Sequence, residues 1–233
     1  MSSTQAPGLK STADSFMRAS ILHQYSYNFT WLGQPIIQYP QDIIAMQEII
    51  FEVKPDLIIE TGIAHGGGLI FHASMLELLC SCCASNGQVL GIDIDIRPHN
   101  RKAIEEHPMF KRITMIEGSS IAPEIIAEVY EKAQGKQRVL VCLDSNHTHD
   151  HVLAELNAYA PLITVGSYCV VFDTVIEDMP EDSFPDRPWG KGNNPKTAVF
   201  EWLPDHPEFQ IDKTIDHKLL ITVAPDGYLR RVS

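Results

Sequence analysis

The sequence predicts an α/β fold built on a doubly wound, mostly parallel sheet. Three observations carry that prediction. Short apolar runs alternate with helical periods along the chain, the runs end on acidic residues, and a glycine-rich turn joins the first run to the helix after it.

The strands are expected at 56–60 (DLIIE), 88–93 (QVLGID), 113–117 (ITMIE), 138–144 (RVLVCLD), 167–173 (SYCVVFD) and 218–223 (KLLITV). Helices are expected at 42–53, 68–80, 100–106, 122–134 and 152–159, where apolar residues recur at three- and four-residue spacing. In an open sheet of this kind ligands bind outside the carboxyl ends of the strands, so Glu60, Asp93, Glu117, Asp144 and Asp173 would gather around one crevice. Two segments stand outside the pattern. Residues 1–40 carry Tyr25, Tyr27, Phe29 and Trp31 and read as an N-terminal extension or lid; the Pro-rich stretch 174–196 reads as a substrate loop. The whole of 1–233 is expected to form one domain.

Composition narrows the function. Hydrophobic residues make up 44% of the 233 and charged residues 21%, enough for a full core. Eighteen Lys and Arg against 30 Asp and Glu leave a net charge of -12, which opposes binding to nucleic acid or to an anionic membrane surface. No apolar run approaches 18 residues and the N-terminus has no secretory pattern, so no transmembrane segment and a cytoplasmic protein are expected. Five cysteines, three of them crowded at Cys80, Cys82 and Cys83, give no disulfide framework and no paired zinc spacing.

The strongest local signal is Glu60-Thr-Gly62-Ile-Ala-His65-Gly66-Gly67-Gly68, between a strand and a helix. Glycines there let the backbone approach a ligand that faces the helix N-terminus. The spacing is neither a Walker loop nor the dinucleotide fingerprint, because Ala64 replaces the second glycine. An acid-x-Gly opening is similar to the first motif of S-adenosylmethionine-dependent methyltransferases, with Glu60 suited to the cationic amino end of that cofactor. Asp93, preferred over Asp95, can accept both ribose hydroxyls from the tip of the second strand. Ser119 falls where the adenine edge would lie.

A second constellation follows the fourth and fifth strands. Asp144 and Asp173 would emerge side by side as hard oxygen ligands for Mg²⁺, a metal that lowers the pKa of a bound hydroxyl. His147, three residues beyond Asp144, is placed to accept the proton. The run His147-Thr-His149-Asp-His151 also invites a zinc-hydrolase reading, but it is one residue short of that pattern.

These residues resemble the cephalosporin hydroxylase and rhamnosyl O-methyltransferase family, and more distantly the metal-dependent macrolide-sugar and catechol O-methyltransferases. The resemblance runs through Trp31-Leu-Gly-Gln-Pro, Tyr39-Pro-Gln-Asp42, Glu60-Thr-Gly62, Gly91-Ile-Asp93, Asp144-Ser-Asn-His147, Glu155-Leu, Asp173-Thr and Pro188-Trp-Gly-Lys-Gly-Asn-Asn-Pro195. It implies a Rossmann-like fold of the class I methyltransferase type, using S-adenosylmethionine and Mg²⁺ held by Asp144 and Asp173. One departure is Phe172, where some relatives carry a second acid. Thr174, Glu177 and Asp178 are candidates to complete the site. Where catechol-type relatives have a lysine base, this chain has His147.

The combined expectation is a Mg²⁺-assisted O-methyltransferase acting on a hydroxyl of a sugar, glycoside or other small biosynthetic intermediate, in a homo-oligomer. Glu60, Gly62, His65, Gly66, Asp93 and Ser119 would hold the cofactor, Asp144 and Asp173 the metal, and His147 the proton. Trp31, Tyr39, Arg187 and Trp189 would wall the acceptor. The alternatives are a hydroxylase-type oxygenase component or a nucleoside-binding scaffold without catalysis, the latter supported by Phe172.

Overall fold

A computed structural model describes residues 7–233 of the chain. The first six residues of the expected 1–40 extension lie outside that span. In chain order, helix α1 (Pro7–Leu22) precedes a short antiparallel hairpin of β1 (Phe29–Trp31) and β2 (Gln34–Ile36), and α2 (Pro40–Val53) follows. Strand and helix then alternate: β3 (Leu57–Thr61), α3 (Gly67–Cys83), β4 (Gln88–Asp93), α4 (Pro98–Glu105), β5 (Ile113–Glu117), α5 (Pro123–Ala133), β6 (Val139–Leu143), α6 (His149–Tyr159) and β7 (Tyr168–Val171). The last elements are α7 (Pro195–Trp202), β8 (Phe209–Ile211), α8 (Lys213–Leu219) and β9 (Tyr228–Arg231).

Seven strands form the main sheet in the order β5-β4-β3-β6-β7-β9-β8. The first five are parallel; β9 runs antiparallel to β7, and β8 antiparallel to β9. The inner parallel strands β3, β4, β6 and β7 read as apolar runs because both faces of the sheet are covered there, whereas edge strand β5 is partly exposed. Ile58 of β3 packs with residues of α2 and α3, such as Met46 and Leu76, whereas its neighbours Leu57 and Ile59 pack with residues of α5, α6 and α7, such as Val129, Leu156 and Trp202. Helix α3 is apolar nearly all round because it is sandwiched. One side meets the sheet and the other the hairpin, where Trp31 packs edge-on against Phe71 at 4.9 Å and donates its Nε1–H to Ser74 Oγ at 2.9 Å.

The sixth expected strand, 218–223, is not a strand. Lys218 and Leu219 finish α8, Leu220 turns the chain with φ 62°, and the apolar run continues as a buried loop. Its polar groups point at one carboxylate. Val223 N–H donates to Asp42 Oδ2 at 2.9 Å, and the Thr222 and Tyr228 hydroxyls donate to Asp42 Oδ1. The sheet is completed instead by β8 and β9, three and four residues long, too short to show a period in sequence.

The strand order reverses between β3 and β6, and this switch point fixes where a ligand can enter. The loops leaving those two strands carry Gly62 and Asp144. No helix among the described residues is long and apolar enough to cross a membrane.

Candidate active site

Glu60 leaves β3 with 5% of its surface exposed, and its carboxylate lies over Gly68 in the first turn of α3, where a Cβ would crowd it. Its Oε1 is 3.6 Å from His72 Nε2, while Oε2 is buried with no hydrogen-bond partner. An acceptor buried without a donor costs about 1–3 kcal/mol, so it marks a place where a cationic or N–H-bearing ligand is favoured. The glycines that follow are needed for close approach. Gly62 has φ +88°, and a Cβ there would collide with the Asp144 carbonyl; a Cβ on Gly67 would collide with the Pro35 carbonyl. The loop therefore threads between the hairpin and the β6 loop.

Asp93 sits at the tip of β4 and fastens that loop. Its Oδ2 accepts the N–H groups of Ile63 (2.8 Å) and Ala64 (3.2 Å), and its Oδ1 accepts that of Asp95. Asn100 completes the fastening by donating to the Ala64 carbonyl at 2.8 Å.

Across the switch point, Asp144 follows β6 and Asp173 follows β7. Asp173 stands in the left-handed region at φ 57°, a conformation that aspartate tolerates better than most residues. Oxygen atoms of both acids and a ring nitrogen of His147 lie within 4.8 Å of one another, the only group of three potential metal ligands among the described residues. His147 Nε2 is 3.1 Å from Asp173 Oδ2, and its ring packs edge-on against Trp189 at 4.9 Å. Desolvation first, then the carboxylates of Asp173, Glu60 and Glu155, push the Asp144 carboxyl well above the usual range; a hydrogen bond from Gln38 Nε2 to Oδ2 at 3.2 Å opposes them. Acids crowded in this way favour a bound cation. The oxygen-rich donor set fits Mg²⁺.

The three candidates to compensate for Phe172 are engaged elsewhere. Phe172 itself is in the core, on the face of the sheet that carries Val170. Thr174 donates to the Pro225 carbonyl, Glu177 accepts from Gly192 N–H and Asn194 Nδ2, and Asp178 pairs with Lys196 Nζ at 2.6 Å. These bonds hold the 174–196 loop against α7. The neighbouring histidines diverge as well: His149 meets Thr197 and Glu201, whereas His151 meets Ser120, Ser145 and Glu155.

One cavity of about 480 Å³ joins the two constellations, running from Glu60, Gly62 and His65 to Asp144, His147 and Asp173. Arg187 and Trp189 line it, with the guanidinium 5.2 Å from the indole ring centroid. Tyr39 lines it from beneath, 1% exposed and hydrogen-bonded to Ser20 at 2.8 Å. Gly66, Asp93, Ser119 and Trp31 are outside its lining.

The family described as Rhamnosyl O-methyltransferase/CmcI matches residues 23–232. The chain belongs to that family. It is 30% identical to a rhamnosyl O-methyltransferase of Mycobacterium leprae over 205 residues, covering 87% of this chain and 82% of the relative. To the rhamnosyl O-methyltransferase of Mycobacterium tuberculosis strain H37Rv it is 29% identical over 207 residues, covering 87% and 78%. Two solved structures share the fold: a CmcI described as its Mg-SAM form (TM-score 0.61, 17% identity, 89% and 78% covered), and apo CalS11, a TDP-rhamnose 3'-O-methyltransferase of calicheamicin biosynthesis (TM-score 0.54, 16% identity, 89% and 91% covered). Membership of the Rhamnosyl O-methyltransferase/CmcI family makes the chain an O-methyltransferase, and its sheet is class I methyltransferase-like.

The sequence reading assigned no role to Gln34 or Gln38. Gln34 Nε2 donates to the His65 carbonyl at 2.5 Å, and Gln38 reaches Asp144. Gln34 lies in the Trp31–Pro35 block that the Rhamnosyl O-methyltransferase/CmcI resemblance drew on, whereas Gln38 falls in the gap before Tyr39 and had no such signal.

Proposed function

We propose that the protein transfers the methyl group of S-adenosylmethionine to a hydroxyl of a sugar or glycoside, with Mg²⁺ beside the acceptor. The observation that carries this reading is the single cavity linking the orphaned Glu60 carboxylate to the Asp144–His147–Asp173 cluster. The rhamnosyl specificity of the mycobacterial relatives and of CalS11 supports a sugar acceptor, and the Mg-SAM form of CmcI supports the two cofactors.

In this reading Glu60 takes the cofactor's ammonium group, and the backbone of Gly62, His65 and Gly66 carries its methionine part. Asp93, whose Oδ1 accepts only the Asp95 N–H, keeps acceptor capacity for a ribose hydroxyl, and Ser119 borders the adenine. Asp144 and Asp173 hold the cation, which when bound supplies Lewis acidity toward a hydroxyl. The His147 ring receives the acceptor's proton, and Asp173, 3.1 Å from its Nε2, stabilises the imidazolium that results. Trp189 and Arg187 offer an aromatic and cationic wall that excludes water, with Tyr39 also lining the cavity; Trp31, packed on α3, is not part of that wall. Residues 174–196 serve the acceptor side of this single domain.

The test is transfer of labelled methyl from S-adenosylmethionine to a panel of rhamnosides and other glycosides in the presence of Mg²⁺. Label recovered on a sugar oxygen, and lost in His147→Ala, is the expected result. Label recovered on nitrogen or carbon of the acceptor would overturn the reading.

A further inference from the structure

The segment Gln34–Gln38 crosses the mouth of the switch point, touching the cofactor loop at one end and the acid cluster at the other. At its far end Gln38 Nε2 donates to Asp144 Oδ2 at 3.2 Å. With Asp144 ionised, as it is when it holds a cation, this orientation of the amide is required, because a flipped side chain would set a carbonyl oxygen against a carboxylate. Its Oε1 is then committed to the other side. There it is buried without a hydrogen-bond partner, on a residue that lines the cavity.

Asp144 needs such a contact. Asp173, Glu60 and Glu155 all repel its charge, and the Gln38 amide is the side-chain hydrogen bond that counters them. A lone N–H donor on one oxygen also sets the plane of the carboxylate and leaves Oδ1 for a ligand. Losing a group that holds a ligating side chain in this manner typically costs about 10–100-fold in metal affinity.

We propose that Gln38 is a positioning residue for the cation: its Nε2–H holds the Asp144 carboxylate in its ligating orientation, and its Oε1 accepts a hydrogen bond from a donor that arrives with the ligands. The proposal rests on the cation reading given above, and it extends the site into a segment that contributes none of the three ligand atoms.

The experiment is a calorimetric titration of chelator-treated protein with MgCl₂, comparing the parent with Gln38→Leu and Gln38→Met, which keep bulk and remove both polar groups. Thermal melts and S-adenosylhomocysteine affinity without metal are measured alongside. The expected result is a Mg²⁺ dissociation constant weakened about tenfold or more in both variants, with melts and metal-free S-adenosylhomocysteine affinity close to those of the parent. Variants that bind Mg²⁺ within twofold of the parent would overturn the proposal and leave the cation reading standing. A marked fall in melting temperature for both variants would also overturn it, by assigning Gln38 a structural role. A parent that fails to bind Mg²⁺ removes the cation reading and this proposal together.

Discussion

His147 Nε2 lies 3.1 Å from Asp173 Oδ2, so the histidine that follows β6 and the aspartate that follows β7 already form a pair across adjacent strand ends. In His147→Ala, methyl transfer is expected to fall by about 10²–10⁴ in kcat, the range for loss of a positioned base. S-adenosylhomocysteine binding should stay unchanged. Single-turnover kinetics with the acceptor identified by the glycoside panel checks both.

Desolvation and three neighbouring acids push the Asp144 carboxyl well above the usual range, so its charged form is disfavoured until a cation binds. Replacing it with asparagine removes that repulsion, so Asp144→Asn is expected to melt no lower than the parent while losing its response to metal. In the parent, Mg²⁺ at a hundred times its dissociation constant stabilises by about 2.7 kcal/mol. Thermal melts with and without Mg²⁺ measure both effects, and a variant that still gains the full increment would contradict the assignment of Asp144 as a ligand.

Gly62 combines a φ of +88° with backbone contact to the Asp144 carbonyl. Gly62→Ala adds both strain and collision. The expected loss is at least about 2 kcal/mol of stability, accompanied by at least tenfold weaker S-adenosylhomocysteine binding. Denaturant unfolding and calorimetry give the two numbers.

The buried Asp42 predicts a pH dependence remote from the chemistry. Burial raises its carboxyl from 3.8 to about 6, against hydrogen bonds from Thr222, Val223 and Tyr228 and with a smaller contribution from Asp173. Because the folded value exceeds the unfolded one, the folded chain binds this proton more tightly. Its contribution to stability is therefore complete below about pH 4 and is lost as pH rises through 6, a span on the order of 3 kcal/mol. An asparagine can donate to the two hydroxyls, which turn to accept. Asp42→Asn is thus expected to flatten the slope of unfolding free energy between pH 4 and 6, and denaturant titrations across that range test it.

Asn194, fully buried, caps α7 with its side-chain oxygen while its Nδ2 holds Glu177 and the Gly190 carbonyl. Asn194→Ala removes the cap, worth about 1 kcal/mol, and leaves Glu177 short of a donor. Stability should fall by about 2 kcal/mol in total. The acceptor's KM is expected to rise while S-adenosylhomocysteine affinity holds, since the loop itself carries Arg187 and Trp189.

Particular residues show why some of this was legible in sequence. The inner parallel strands announce themselves because burial on both faces demands unbroken runs such as Ile58-Ile59 and Val139–Leu143, and the reversal of strand order sets Gly62 against the Asp144 carbonyl. The run 218–223 misled because burial alone does not distinguish a strand from a loop wrapped on Asp42. Gln38 was invisible for a different reason. Its contact with Asp144 spans more than a hundred residues of chain and leaves no periodic trace. Likewise, only the structure shows that Glu177 and Asp178 are spent on the loop and on α7.

The central claim is that one cavity at the switch point takes both the cofactor and the cation. It is tested most directly by calorimetric titration of chelator-treated protein with S-adenosylhomocysteine, repeated with Mg²⁺. Saturable one-site binding, weakened by Glu60→Ala and by Asp93→Ala, with a separate Mg²⁺ site lost in Asp144→Asn, is the predicted result. Failure to bind S-adenosylhomocysteine under either condition would contradict the account.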